Sequence, residues 1–149
     1  MNLFYSNEYC ADLVGYADEG YLSDPHKARS QTGYVFTFGE TAISWRSTKQ
    51  SIVATSSNHA EIIAIHEASR ECVWLRSMIH SIKERCDLKD DVKTPTTLYE
   101  DNAACIAQLR GGFIKGDRMK HISPKVGMFL ILFILHLMSQ RCDIYTSIM

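Results

Sequence analysis

Val53-Ala-Thr-Ser-Ser-Asn58-His-Ala-Glu61-Ile-Ile-Ala-Ile65-His-Glu-Ala68-Ser-Arg-Glu-Cys72-Val-Trp-Leu75 is the stretch on which the fold turns. It opens on small polar residues, Thr55 to Asn58, which accept bonds from the free backbone N–H groups of a helix start. With no Gly or Pro inside, it reads as a helix running to about Ile82. Ile65, Ala68, Cys72, Leu75, Ile79 and Ile82 recur at three- and four-residue steps and form one apolar stripe facing a core. Glu61 stands one turn before Ile65 on that stripe, where a carboxylate is costly unless something pairs with it. Two readings compete. Asn58-x-x-Glu61 has the spacing of a capping box; alternatively, Glu61 is a metal ligand sharing a cation with acids from elsewhere in the chain.

At 149 residues the chain makes one domain, long enough to bury a core. With 46% hydrophobic and 22% charged residues, wholesale disorder is excluded. A formal net charge of −1 excludes a strongly basic nucleic-acid binder but not local basic patches around an acidic, metal-filled site. Cysteines 10, 72, 86, 105 and 142 are odd in number, widely spaced and without a C-x-x-C pair. Free thiols in a reducing, intracellular setting (cytoplasm or nucleus) fit them better than a disulfide scaffold or a zinc site. The amino-terminal residues show no secretory signal pattern.

Outward from the helix, Leu13 to Tyr21 reads as a first strand with Val14, Tyr16 and Asp18 on one face. Thr32 to Phe38 is a second strand, rich in aromatic and β-branched residues. Gly39-Glu40 supplies a tight turn, and Ala42 to Ser47 a third strand, giving an antiparallel meander that feeds the helix. Thr96 to Glu100 is a short fourth strand; Asp101-Asn102 caps a second helix that Gly111-Gly112 ends. Lys115 to Lys125 is a basic loop or strand holding His121.

Three acids then occupy comparable places: Asp18 in the first strand, Glu61 at the head of the long helix, Asp101 at the end of the fourth strand. Singly, each has a plain structural reading as turn, cap and N-cap. If the fourth strand pairs with the first, Asp18 and Asp101 lie side by side, and the helix crossing the sheet brings Glu61 to both. Clustered carboxylates raise one another's pKa unless cations neutralise them. Oxygen ligands of this kind suit Mg²⁺ or Mn²⁺, and two such ions about 4 Å apart suit an in-line phosphoryl displacement.

Six motifs in order carry a family resemblance: Tyr16-Ala17-Asp18, Thr32-Gly33-Tyr34-Val35-Phe36, Ile43-Ser44-Trp45-Arg46-Ser47, Ser56-Ser57-x-x-Ala60-Glu61, Leu98-Tyr99-x-Asp101-Asn102 and Lys120-His121-Ile122. Over about residues 3–125 the chain resembles the ribonuclease H domain of copia-type retrotransposon Pol polyproteins, plant branch. The resemblance implies an α/β RNase H-like fold, a mixed sheet with three antiparallel N-terminal strands flanked by helices. It implies divalent-metal-dependent cleavage of the RNA strand of an RNA–DNA hybrid, with Asp18 bridging two Mg²⁺ (or Mn²⁺) ions and Glu61 and Asp101 each completing a site. It implies a reverse transcriptase domain of the parent polyprotein as a partner that helps to hold the hybrid. Substrate contacts fall to Arg46, Lys49, Lys120 and His121 through phosphates, which position a nucleic acid without reading sequence. Arg70 and Arg76 read better as solvated surface charges.

The chain departs from the family at three places. His59 stands where the family's first Glu of Ser-Ser-Thr-Glu-Ala-Glu falls, and reads as a surface residue. Ser123 stands at the fourth metal-site acid and supplies no carboxylate. Past Lys125 the charge disappears: residues 1–125 hold 31 of the 33 charged residues, and 126–149 only Arg141 and Asp143. None of the family's charged helix and following strand is legible there. Val126 to Met138 is an uncharged run of 13 residues, short of the roughly 20 that span a membrane, so no membrane association is expected. It reads as a buried terminal helix, or as a frameshifted tail outside the domain. Ser123 and the tail keep open a second function, a catalytically inactive relic or nucleic-acid-binding module on the same fold.

Overall fold

The computed structural model describes residues 12–24, 26, 29–39, 41–88, 95–110 and the backbone of 142–146. In chain order these form β1 (Leu13–Asp24), β2 (Arg29–Phe38), β3 (Thr41–Lys49), α1 (Ser57–Arg85), β4 (Thr96–Glu100), α2 (Ala103–Arg110) and β5 (Cys142–Thr146). The sheet order is β3-β2-β1-β4-β5. β1, β2 and β3 pair antiparallel, and β4 pairs parallel with both β1 and β5. This is the mixed α/β sheet with an antiparallel start that the sequence predicts.

Alternation along the strands decides what each face carries. Leu13, Gly15 and Ala17 of β1, Tyr34 and Phe36 of β2, and Leu98 of β4 are buried on the side that α1 covers. Ile62, Ile65, Ala68, Cys72 and Leu75 of α1 pack into the same core with Cys105, Ile106 and Leu109 of α2. The close approach depends on Gly15. A Cβ there would meet Phe36 Cε1 at 2.5 Å and Leu98 Cδ1 at 2.8 Å. The turn from β2 to β3 uses Gly39 at φ 57°, the left-handed conformation glycine adopts most readily.

The opposite face carries a row in register across four strands: Trp45, Val35, Tyr16 and Tyr99. Tyr16 and Tyr99 stack with centroids 5.4 Å apart, and Trp45 is 64% exposed.

The elements depart from expectation in three ways. The stripe of α1 is buried only as far as Leu75; Ile79 is half-buried and Ile82 exposed. A 29-residue helix is about 43 Å long and five strands span only about 24 Å, so its last turns pass beyond the sheet. β1 runs on to Asp24 through a break in register after Gly20, where Leu22 adopts φ 51°. The tail, in which no strand is legible, contributes Cys142–Thr146 as β5, aligned from Thr96↔Cys142 to Glu100↔Thr146. Val126 to Met138 lies outside the described residues, among which no helix is long and apolar enough to cross a membrane.

Candidate active site

The start of α1 settles what Glu61 is not. Ser56 is the N-cap, its Oγ accepting from His59 N–H at 3.2 Å. Glu61 therefore lies beyond the first turn, and the capping-box reading with Asn58 does not hold. His59 is buried rather than on the surface: its ring folds back over the turn, and Nδ1 accepts from Thr55 N–H at 3.2 Å. Burial lowers its pKa and keeps it neutral.

At the other side of the site, Asn102 begins α2. Its Oδ1 accepts from Cys105 N–H at 3.0 Å, as an N-cap does. That bond turns the amide so that Nδ2 donates to Glu61 Oε1 at 3.4 Å, while the Asn102 backbone N–H donates to Glu100 Oε1 at 3.4 Å. The expected Asp101-Asn102 cap is thus supplied by Asn102, and Asp101 is left exposed with its carboxylate free of capping duty.

Glu61, Glu100 and Asp101 each offer one oxygen, and the three lie within 4.8 Å of one another. Glu61 is 6% and Glu100 1% exposed. The second oxygen of each, Oε2, is buried and accepts from no N–H or hydroxyl group among the described residues. Burial, and then the charge of Glu61, raise Glu100 from 4.5 to about 9. Burial likewise raises Glu61 to about 7, against the hydrogen bonds from Glu100 and Asn102 that lower it. The pair holds a proton at neutral pH. Two buried carboxylates with free oxygens and no Lys or Arg paired to them among the described residues are a donor set suited to a divalent cation.

Asp18 is not in that group of three. It is exposed on β1 opposite Gly33, on the face of Tyr16, whereas Glu61 and Glu100 lie on the α1 face. Asp18 and Asp101 do line one groove, of about 490 Å³, with Tyr16, Trp45, Tyr99 and Glu100. Next to Asp18 on β1, Glu19 is half-buried, and burial, then Asp18, then Asp101 raise its pKa to about 7. Glu19 and Glu100 are the acids that motif reading passes over. A signal for Glu100 exists in Thr96-Thr-Leu98-Tyr-Glu100: alternation from a buried Leu98 puts Glu100 on the core face.

Of the cationic candidates, Arg46 is exposed and lines the groove. Lys49 pairs with Asp24 at 2.8 Å, across the end of the sheet. Arg70 is exposed; Arg76 is no solvated charge, since Nη1 donates to Thr96 Oγ1 at 2.6 Å and ties α1 to β4. Lys120, His121 and Ser123 lie outside the described residues. Cys72 and Cys105 are buried thiols and Cys86 an exposed one, none of them in a disulfide; burial pushes the Cys105 thiol upward, away from reactivity.

No family model matches the chain. Among curated proteins it is 46% identical over 65 residues to the "Secreted RxLR effector protein 161" of Plasmopara viticola, covering 44% of this chain and 46% of that protein. It is 41% identical over 70 residues to the retrovirus-related Pol polyprotein from transposon TNT 1-94 of Nicotiana tabacum, 47% of this chain and 5% of the polyprotein. It is 29% identical over 121 residues to that of transposon RE2 of Arabidopsis thaliana, 81% of this chain and 8% of the polyprotein. The chain thus spans less than half the length of these relatives.

Among solved structures, LC11-RNase H1 isolated from compost superposes with a TM-score of 0.57 at 16% identity, over 93% of this chain and 84% of that one. The same enzyme in complex with an RNA/DNA hybrid gives 0.56 at 16% identity, over 91% and 83%. The fold is that of RNase H. The sequence relatives narrow this further: the chain is a homologue of plant retrotransposon Pol polyproteins, and the resemblance read from its six motifs holds.

Proposed function

We propose that the chain is a divalent-metal-dependent endonuclease that hydrolyses the RNA strand of RNA–DNA hybrids, and that it derives from the copia-type branch of retrotransposon Pol polyproteins. The observation that carries this reading is the pair of buried carboxylates, Glu61 and Glu100, beside the exposed Asp101 at the end of β4, with no Lys or Arg paired to them among the described residues, on a fold whose relatives include an RNase H solved with a hybrid bound. Glu61 and Asp101 would hold a Mg²⁺ or Mn²⁺ ion, and Asp18, on the opposite face of the sheet, would join them only through the groove that it lines with Asp101. The ions, when bound, supply activation of water and charge neutralisation at the leaving oxygen. The carboxylates fix where the scissile phosphate lies, and no covalent enzyme intermediate is required. Arg46, at the rim, positions a backbone phosphate. Lys49, already paired with Asp24, contributes less. Lys120 and His121 take the remaining phosphate contacts.

Residues 3–125 carry the family's motifs in this reading and 126–149 diverge from it, a frameshifted or degenerate end that still supplies β5 to the sheet. The relatives being polyproteins, the reverse transcriptase domain is the partner that would hold the hybrid, and the isolated chain binds it weakly. The second reading, an inactive relic or nucleic-acid-binding module, is favoured by Ser123 at the fourth acid position and by Asp18 facing away from Glu61. Cleavage of a labelled RNA–DNA hybrid with Mg²⁺ or Mn²⁺, beside Asp18→Asn, separates the two. Cleavage lost in the variant supports the enzyme; a folded wild-type chain that binds the hybrid without cutting it supports the module.

A further inference from the structure

We infer that Glu100 is itself a cation ligand, a third carboxylate beside Glu61 and Asp101, and that Asn102 is the residue that positions it. The inference rests on the metal-dependent reading above and goes beyond the three acids of the motif. Its basis is the division of labour between the oxygens of the two buried glutamates. Asn102 takes up one oxygen of each, Glu61 Oε1 through its side-chain amide and Glu100 Oε1 through its backbone N–H. The other oxygen of each, Oε2, is buried and accepts from no N–H or hydroxyl group among the described residues, although the two carboxyls are hydrogen-bonded to each other while one of them holds a proton. A buried acceptor without a donor is costly, and two of them beside a third carboxylate form a place for a positive charge.

Geometry agrees. Ligand oxygens at about 2.1–2.6 Å from an ion stand up to about 4–5 Å apart on opposite sides of it, and the three acids offer oxygens within 4.8 Å. Little movement is needed to close that set on one ion. Asn102 cannot rotate freely to satisfy the Oε2 atoms instead, because its Oδ1 is fixed to Cys105 N–H at the head of α2. Glu100 in turn cannot swing away, since it is 99% buried at the last residue of a central strand. A carboxylate at Glu100 adds an acid to a site that Ser123 leaves one short.

The test is Mn²⁺ binding by the full chain, measured by calorimetric titration without nucleic acid, with a thermal melt of each variant to establish folding. Glu100→Gln keeps the size of the side chain and an oxygen for the Asn102 N–H. It is expected to bind Mn²⁺ roughly tenfold more weakly or worse. Binding within about twofold of wild type would overturn the inference, leaving Glu100 as a structural acid packed beneath Glu61. Absence of Mn²⁺ binding by the folded wild-type chain would overturn it as well. Should Glu100→Gln fail to fold, Glu100→Asp decides: it keeps the charge but draws the carboxylate back by one methylene, so weaker binding supports the assignment and unchanged binding refutes it; Asn102→Ser, which keeps the backbone N–H on Glu100 and removes only the amide that orients Glu61, reads the Asn102 part alone. Hybrid cleavage is read separately. A chain that binds Mn²⁺ through Glu100 but cuts nothing sinks the endonuclease reading and leaves this inference standing.

Discussion

The proton held by the Glu61–Glu100 pair makes the metal-free protein less stable as pH rises. In the unfolded chain both carboxyls titrate near 4.5 and are charged above about pH 5.5. In the folded chain burial keeps a proton on the pair until the pH approaches the raised value of Glu100, about 9. From about 7, where Glu61 releases its own proton, up to about 9 the native state binds one proton more than the unfolded state. Unfolding free energy therefore falls as pH rises, by about 1.4 kcal/mol per pH unit for one proton. In a chain of this length that is about 3–6 °C of melting temperature per pH unit.

Other groups share the lower part of the range. Burial lowers His59 and His66 below 6.5, so both contribute stability that increases as pH rises towards 6.5. Glu19 releases its proton near 7. The window from pH 7.5 to 8.5 isolates the pair. Glu100→Gln keeps the acceptor for the Asn102 N–H and presents an amide N–H to Glu61 where the shared proton sits, so no proton need be held. Melting curves in EDTA across that window should show wild type losing about 3–6 °C per pH unit more than the variant. Parallel slopes would refute the reasoning, because they would mean that the pair gives up its proton as readily folded as unfolded.

Gly15→Ala drives a Cβ to 2.5 Å from Phe36 and 2.8 Å from Leu98 in a packed core, and should cost about 1–3 kcal/mol, read as a lower urea midpoint at unchanged slope. Ser56→Ala removes the oxygen that accepts from His59 N–H and should cost about 1 kcal/mol; an unchanged melting temperature would mean that Thr55 or water takes over the cap. Asp18→Asn, at an exposed position whose charge raises Glu19, should leave the melting temperature equal or slightly higher while hybrid cleavage falls roughly a hundredfold or more. Thr96→Val deletes the hydroxyl that accepts from Arg76 and should cost about 1.5–3 kcal/mol, the worth of a hydrogen bond to a charged group, read as a lower melting temperature.

The first four strands and both described helices were legible because local signals decide them. Alternation marks Thr32–Phe38, a gap in Gly and Pro marks α1, and Gly39 marks the turn. Helix ends were less legible. Ser56, not Asn58, caps α1, because three adjacent residues of similar capping propensity leave the choice to the fold. His59 was misread for a related reason: whether a histidine beside a cap faces water depends on the side from which the sheet approaches the helix. β5 is the clearest failure. Ile144-Tyr145-Thr146 favours a strand locally, but a run of five residues behind the apolar stretch says nothing of a partner, and its place in the sheet comes from pairing with β4, a contact no local pattern announces.

The acidic site shows the same limit at higher resolution. Motif order brings Asp18, Glu61 and Asp101 to one end of the sheet, yet the pleat splits them. Tyr16↔Tyr99 fixes the register of β1 against β4, and from there each step along a strand changes face. Asp18 falls with the tyrosines; Glu100 falls with Leu98 and hence with Glu61. Asp101, one residue past the end of β4, is no longer bound by that alternation. It lies within ligand distance of Glu61 and Glu100, lines the same groove as Asp18, and its charge raises Glu19, Glu61 and Glu100 alike. A site assembled around a strand end in this way needs only one acid free of the pleat to join carboxylates from its two faces. Asp101 is free to do so because Asn102, and not Asp101, caps α2.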